Sequence, residues 1–332
     1  MQNLSLKNIR QPIEKKYGKR PATLLSELIE DEQKKVNTFI TNNIKSEVPL
    51  IPLLSDHLLK SGGKRIRPAI TILISKLFNY NYGNRHIKLA ACIELIHMAS
   101  LLHDDVVDES TMRRGKSSAN LIWGNKASIL VGDYLFSKAF QILVEDNDPL
   151  VLTTLSEVSR ALAQGEVMQL SLVNNIDISK EKYFKVIEDK TAKLFSAAAL
   201  IGGIVSGVSD GLISQLKNFG NLMGTSFQIL DDALDYDKSM PNSGKKIGAD
   251  FREGKVTLPV LLALEKSNSE ERTFWIRTME KMDQKEDDFE NAIKLLNKYQ
   301  CLSETKKIAE QFSKKAEQII KKLPQNIYSE AL

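Results

Sequence analysis

Residues 90 to 107 form an apolar, helix-periodic run that closes on three carboxylates, in Leu101-Leu102-His103-Asp104-Asp105-Val106-Val107-Asp108. That juxtaposition limits what the chain can become. Taking a charge out of water is costly unless it is paired, hydrogen-bonded or bound to a metal. On an α-helix Asp104 and Asp108 lie one turn apart on one face, and Asp105 points about 100° away. Acids so placed repel each other by about a few tenths of a kcal/mol unless a cation lies between them. Their oxygens suit a hard divalent ion such as Mg2+, which keeps several waters and takes the rest of its shell from phosphate. The competing explanation is a solvated acidic turn at a helix end. It weakens because the pattern recurs. Asp231-Asp232-Ala233-Leu234-Asp235 repeats the Asp-Asp-x-x-Asp spacing, again after an apolar helical run through Leu222, Met223, Phe227, Ile229 and Leu230. The rest of the chain is expected to hold the two clusters face to face.

The frame that does so is expected to be all-α. Only 17 Gly and 9 Pro occur in 332 residues, and long stretches are rich in Leu, Ile, Ala, Lys and Glu, which favour helix. Helical spacing covers 24–43, 51–60, 69–78, 88–107 and 125–144. Another helix opens at Asp148-Pro149 and runs to Val173, and another covers 182–201. Gly202, Gly203 and Gly207 then allow a close helix contact or a bend, and a further helix leads into the second cluster. Beyond Ser267 the pattern is that of packed outer helices, and the acid-rich run 283–288 is expected to be a solvated loop and helix start. No strand alternation of any length is visible. A single domain spanning 1–332 is expected, with a polar, flexible segment over 1–22. The nearest approach to a membrane span, 194–208, is broken by serines and a Gly-Gly pair and is expected to be a buried core helix. Cys92 and Cys301 are expected to be reduced, structural thiols of a cytoplasmic protein. The net charge of +4 is spread over short local groups, which argues against a nucleic-acid surface.

Those local groups fall where an anion would sit. Gly62-Gly63-Lys64-Arg65-Ile66-Arg67-Pro68 sets cations at the start of a helix, where exposed N–H groups and the macrodipole favour phosphate; a solvated basic turn is the plainer alternative. His97 lies two turns before Asp104 on the same face, either as a packed core residue or as a ligand contact. Arg113 and Arg114 follow the first cluster, and arginine forks grip phosphate oxygens. Gln164, Glu166 and Gln169 put polar groups on an otherwise apolar helix, and Lys190-Thr191 does the same on the next. The glycine-rich loop 243–255, with Lys245 and Lys255, fits a lid over a polyphosphate.

Two Asp-rich helices, separated cations and apolar walls describe a site for an allylic diphosphate. Metal ions would make the diphosphate a leaving group, cations would catch the departing charge, and a dry apolar cavity would protect the carbocation. No nucleophilic Ser or Cys dyad is needed. As a set, Gly62-Gly63-Lys64-Arg65-Ile66-Arg67-Pro68, His103-Asp104-Asp105-Val106-Val107-Asp108 with Arg113-Arg114-Gly115, Lys190-Thr191, Phe227-Gln228-x-x-Asp231-Asp232-x-x-Asp235, and Gly244-Lys245 with Gly254-Lys255 resemble the motifs of the trans-isoprenyl diphosphate synthases, most closely the bacterial long-chain type. The resemblance runs over roughly residues 25 to 330.

The resemblance implies an all-α isoprenoid synthase-type bundle around a central apolar cavity, usually a homodimer. It also implies a prenyltransferase that condenses isopentenyl diphosphate with an allylic diphosphate such as farnesyl diphosphate. By the same resemblance Lys64, Arg67, His97 and Arg114 would hold isopentenyl diphosphate. Arg113, Lys190, Thr191, Gln228, Lys245 and Lys255 would hold the allylic diphosphate. Asp104 and Asp108, with Asp105 in support, and Asp231, Asp232 and Asp235 would bind Mg2+, about two or three ions in all. Short-chain members often carry an acid where Gln169 stands, which weakens the first metal site by analogy, although long-chain members share the glutamine. Membrane contact on product release is expected to be transient.

Product length follows from the path of the growing tail, which side chains about one turn before Asp104 would line. Ala99 and Ser100 stand there, small, with Met98 beside them, where short-chain members often place an aromatic floor. A product of about seven to ten isoprene units is expected, centred on octaprenyl diphosphate for quinone side chains. The alternatives are a shorter-chain synthase, a terpene cyclase and a non-catalytic synthase subunit. A cyclase normally lacks the second Asp-Asp-x-x-Asp and the Gly-Gly-Lys-Arg site, and such a subunit usually loses the aspartates that this chain keeps. Ala99→Phe is expected to shorten the product, read by chromatography of the dephosphorylated prenol; an unchanged length would put the tail elsewhere.

Overall fold

The structure, a computed structural model, describes residues 27–237 and 247–332. The segment expected to be polar and flexible, 1–22, and Lys245 lie outside the described residues. The described residues form sixteen α-helices, two π-turns and one hairpin. The hairpin pairs β1 (Met112–Arg113) antiparallel with β2 (Lys116–Ser117); two residues per strand are too few to leave an alternation in the sequence.

Helices α1 (Glu30–Asn43), α2 (Leu50–Lys60) and α3 (Ile66–Leu77) precede α4 (Arg85–Val107), which ends in the first acidic cluster. The hairpin and α5 (Ala119–Trp123) follow, then the long α6 (Asn125–Asp146) and α7 (Pro149–Leu172). The chain continues through α8 (Lys180–Ile187), a π-turn (Glu188–Ala192) and α9 (Lys193–Val205) into α10 (Asp210–Leu234), which ends in the second cluster. Next are α11 (Ala249–Arg252), α12 (Leu258–Lys266), α13 (Ser269–Trp275) with a π-turn (Ile276–Glu280), α14 (Asp288–Lys298), α15 (Cys301–Ile320) and α16 (Ile327–Ala331).

Local chemistry sets several boundaries. Asp148 caps α7 by accepting from the Leu150 and Val151 amides, with Pro149 in the first helical position, where its missing N–H costs nothing. Arg85, at the start of α4, grips both oxygens of Asp146 at 2.8 Å and reaches Asp148 at 2.7 Å, tying that helix to the α6–α7 corner. Buried side chains of α1, α3, α4, α6, α7 and α9 make one apolar core. A second core gathers around Trp275, Phe251 and Tyr236 from α8, α10, α12 and α14. Gly220 and Gly224 let α10 lie almost on the backbone of its neighbours. A Cβ at Gly220 would stand 2.5 Å from the Phe195 carbonyl oxygen, and one at Gly224 would stand 2.6 Å from the Ala192 Cα.

Three sequence expectations need correction. The helix expected over 182–201 is broken into α8, a π-turn and α9; the run 194–201 is largely apolar and buried on every face, so a one-residue shift of the stripe does not show in its spacing. The run 283–288 is not wholly solvated: Asp288 is buried and held by both Arg277 terminal nitrogens at 2.7 Å. Last, α6 is long and apolar enough by length and composition to cross a membrane, although the sequence drew attention to 194–208 instead. Ile129 and Leu130 on α6 are exposed.

Candidate active site

Both acidic clusters sit at the C-terminal ends of their helices, α4 and α10. Those ends carry the partial negative charge of the helix dipole, so acids there add to an existing negative potential and favour cations. The two ends open on one cavity of about 330 Å³. It is lined by Asp104, Asp108 and Arg113 from the α4 side, Gln169 from α7, and Tyr183, Lys190 and Thr191 from α8 and its π-turn. Gln228, Asp231, Asp232 and Asp235 come from α10, and Asp250 and Lys255 from beyond it. Apolar side chains such as Ile178, Ile187 and Val256 complete the wall.

The first cluster is not three equivalent ligands. Asp104 faces the cavity, and burial, with Glu166 and Asp108 nearby and against the pull of Lys190, pushes its pKa up to about 6. Asp108 accepts from Lys255 at 2.8 Å. Burial opposes the charge on Lys255, but Asp108 and Glu253 outweigh it and its pKa is raised. Asp105 turns away from the cavity, as the 100° step demands. It is fully buried and receives Arg113 Nε at 2.6 Å and Nη2 at 2.5 Å. The Asp105 carbonyl also accepts from the Ser110 amide at 2.9 Å and Asn120 Nδ2 at 3.0 Å. Asp105 therefore anchors the hairpin that carries Arg113, a support given to the arginine rather than directly to an ion.

On α7, Glu166 and Gln169 hold Lys190 Nζ at 2.5 and 2.6 Å. Lys190 and Thr191 reach the cavity because the π-turn rotates them there. Gly165 makes room for that turn, since a Cβ on it would stand 2.7 Å from the Lys190 backbone nitrogen. Thr191 Oγ1 donates to Gln228 Oε1 at 2.8 Å, and Gln228 Nε2 donates to Asp232 Oδ1 at 2.8 Å. Tyr183 Oη donates to Asp232 Oδ2 at 2.6 Å. Burial raises the Asp232 pKa to about 7, the Tyr183 and Gln228 hydrogen bonds pull against it, and Asp231 and Asp235 add to it. The Asp235 carboxylate accepts from the Ala249 and Asp250 amides at 3.2 and 2.9 Å, so it caps α11 as well as lining the cavity. Burial, with Asp235 and Asp232 close by, raises the Asp250 pKa well above the usual range.

The remaining expected anion contacts, Lys64, Arg67, His97 and Arg114, do not line this cavity but gather beside it. Arg67 lies 4.5 Å over the Phe195 ring. Its Nη1 donates to His97 Nε2 at 3.1 Å; an arginine only donates, so the imidazole proton sits on Nδ1. Burial first, then Arg67, Arg114, Arg113 and Arg65, hold the His97 pKa well below its usual value and the ring neutral. Burial also lowers Arg67 to about 10, still cationic at neutral pH. Arg114, in a left-handed conformation, donates to the Gly62 carbonyl. A Cβ on Gly63 would strike the Arg114 guanidinium, so Gly63 is what lets Arg114 come close. Lys64 is exposed, and Arg65 is taken by the buried Glu94. Ala99 is fully buried in the main core, whereas Ser100 is half-buried and donates to the His97 carbonyl at 2.9 Å.

Sequence reasoning did not assign Tyr183, Asp250 or Glu94. A tyrosine or an acid on a helix has no spacing signature, and only the π-turn and the packing of α10 bring the first two to the cavity. The chemistry of the donor set fits divalent cations: acids at two negative helix ends, two of them raised by burial and mutual repulsion. Among the described residues no three acid, histidine or cysteine side chains come together as a ready metal site, so water and phosphate oxygens would have to complete the shell of any Mg2+ held here.

The profile of the polyprenyl synthetase family matches residues 48–296. Octaprenyl diphosphate synthase of Escherichia coli (strain K12) is 41% identical over 308 residues, covering 93% of this chain and 95% of that protein. All-trans-nonaprenyl-diphosphate synthase (geranyl-diphosphate specific) of Rhodobacter capsulatus is 35% identical, with 90% of each chain covered. The crystal structure of polyprenyl synthase from Caulobacter crescentus CB15, complexed with calcium and isoprenyl diphosphate, is similar with a TM-score of 0.90 and 42% identity, covering 93% of this chain and 94% of that one.

The Asp105–Arg113 pair makes a separable prediction. Asp105→Asn loosens Arg113 while leaving Asp104 and Asp108 in place, so inorganic diphosphate should bind about tenfold more weakly. Binding of Mn2+ without diphosphate should be unchanged. Calorimetry of both ligands checks it, and equal losses for the two would make Asp105 part of the ion site.

Proposed function

The chain belongs to the polyprenyl synthetase family and is a prenyltransferase, and from that premise we propose the reaction it carries out. It is a long-chain trans-polyprenyl diphosphate synthase, adding isopentenyl diphosphate repeatedly to an allylic diphosphate, with a farnesyl-type primer and octaprenyl diphosphate as product. The observation that carries this reading is the meeting of two acidic helix ends with Arg113, Lys190 and Lys255 in one cavity, beside a separate basic group around Arg67 and Arg114. Two anion sites, only one of them between the acids, suit two diphosphates of which only one departs.

The family is Mg2+-dependent. When bound between Asp104, Asp108, Asp231, Asp232 and Asp235, about two or three ions supply Lewis-acid neutralisation of the leaving diphosphate. The chain's own groups do the rest. Arg113 and Lys190 orient the allylic diphosphate, Thr191 turns its hydroxyl proton from Gln228 to one of the diphosphate oxygens, and Lys190 and Lys255 exchange their carboxylate partners for others. Arg67, Arg114, Lys64 and the neutral His97 hold isopentenyl diphosphate with its double bond toward the allylic carbon. Apolar wall residues such as Ile187 keep water from the cation formed as the allylic C–O bond breaks. After the new C–C bond forms, one proton leaves, taken up by the released diphosphate.

The tail then grows along α4 past Ser100 and Ala99, where the residues are small. A second copy covers the exposed apolar Leu121, Ile122, Ile129 and Leu130 of α5 and α6, since such a patch on a lone chain marks an interaction surface. The enzyme works in the cytoplasm, with its two free, buried cysteines reduced and with transient membrane contact at product release.

Incubation with farnesyl diphosphate, labelled isopentenyl diphosphate and Mg2+ should give labelled prenol of about eight units after dephosphorylation, on a protein that sediments as a dimer. Absence of incorporation would remove the reading, products stopping at fifteen or twenty carbons would remove its long-chain part, and a monomer would remove the second copy.

A further inference from the structure

We propose that Tyr183 is a positioning residue of this active site: its hydroxyl fixes the Asp232 carboxylate for the ion and, through Gln228, sets the hydroxyl of Thr191. The inference rests on the prenyl-transfer reading of the cavity and names a residue that reading does not use. A buried tyrosine bonded to a buried acid is often only a packing device, so the case depends on what surrounds the pair.

Three observations favour positioning. First, Tyr183 and Asp232 both line the cavity, and the Tyr183 ring is braced edge-on by Phe184 at 5.3 Å, so the hydroxyl has a fixed place. Second, among the described residues Asp232 is held by neutral donors, Tyr183 Oη at 2.6 Å on one oxygen and Gln228 Nε2 at 2.8 Å on the other. Asp105 and Asp108 of the first cluster accept from Arg113 and Lys255 instead. Neutral donors orient a carboxylate without placing a competing cation beside it, and each oxygen has lone pairs left to offer an incoming ion. Third, the π-turn is placed to make the chain of contacts. In an unbroken α-helix, residues eight apart would point about 80° away from each other. The one extra residue of a π-turn removes about 100°, leaving Tyr183 and Thr191 about 20° apart on one face. That face meets Gln228 and Asp232, one turn apart on α10, and Gly224 on the preceding turn permits the approach. Thr191, Gln228, Asp232 and Tyr183 thus form one continuous hydrogen-bonded line from the diphosphate contact to the ion site.

Tyr183→Phe keeps the ring and removes the donor. Mn2+ binding in the presence of inorganic diphosphate, followed by electron paramagnetic resonance, should weaken about tenfold, the size expected for one hydrogen bond to a charged group. In turnover the KM for the allylic diphosphate should rise while that for isopentenyl diphosphate stays at its wild-type value, because the second site lies on the other side of Arg113. Gln228→Met removes the other donor at similar volume and should shift ion binding and allylic KM in the same direction, which keeps the test open if Tyr183→Phe does not fold. A folded Tyr183→Phe enzyme with wild-type Mn2+ binding and allylic KM overturns the proposal, whatever its melting temperature. So does a Gln228→Met enzyme unchanged in both. A wild-type enzyme that binds Mn2+ and diphosphate but transfers no prenyl group would instead overturn the functional reading, and the Mn2+ titrations would still decide the role of Tyr183.

Discussion

Two helices end on aspartates at one cavity, and that is electrostatically unfavourable twice over. The carboxylates repel each other, and each stands at the negative end of its helix. Everything around the cavity responds to that potential. Arg113 reaches back to Asp105, Lys255 crosses from the far side to Asp108, and Lys190 comes off the π-turn to Glu166. Burial and repulsion raise the pKa of Asp104 and of Asp232. A site that holds its acids in this state takes up divalent cations readily, because each ion relieves repulsion that the fold itself has built.

The same potential explains why the two lysines are useful where they are. A free lysine in the cavity would repel the ions that the site is proposed to bind. Paired with Asp108 or Glu166, its charge is balanced until an anion arrives with ions of its own. In the proposed reaction the diphosphate then offers the lysine a better partner, and the ions take over the carboxylate. On the proposed reading binding is an exchange of ion pairs, in which neither lysine is left buried without a partner. That matters because an uncompensated buried charge costs about 3–5 kcal/mol.

Much of this was legible from residue order. Paired Asp-Asp-x-x-Asp clusters after apolar runs located the cavity, and low glycine and proline content located the helices. The cap at Asp148-Pro149 and the close contact at Gly202, which lies against Ile74, also follow from residue type. What was not legible depended on rotation and on long-range partners. Asp105 looks like a support for the ion until Arg113 is seen to fold back on it through the hairpin. Arg65 looks like a phosphate contact until Glu94, 29 positions away, is found beside it. Asp288 looks solvated for the same reason. In each case the sequence shows the charge but not the distant residue that neutralises it.

The π-turn is the clearest example, because it hides from periodicity while deciding the chemistry. An insertion of one residue costs a helix part of its hydrogen-bond quality and is rarely retained without use. Here α8 and α9 are both well packed on either side of it, Tyr183 and Ile187 in one apolar core and Phe195 to Ile201 in the other. A straight helix could face either core with one stripe but not both in this register. The turn absorbs the mismatch between the two packed faces, and in doing so it points Lys190 and Thr191 at the acids. Packing of two cores and placement of Lys190 and Thr191 at the cavity are thus satisfied by one local change in winding, so the geometry of the site is set by the core as much as by the residues that line it.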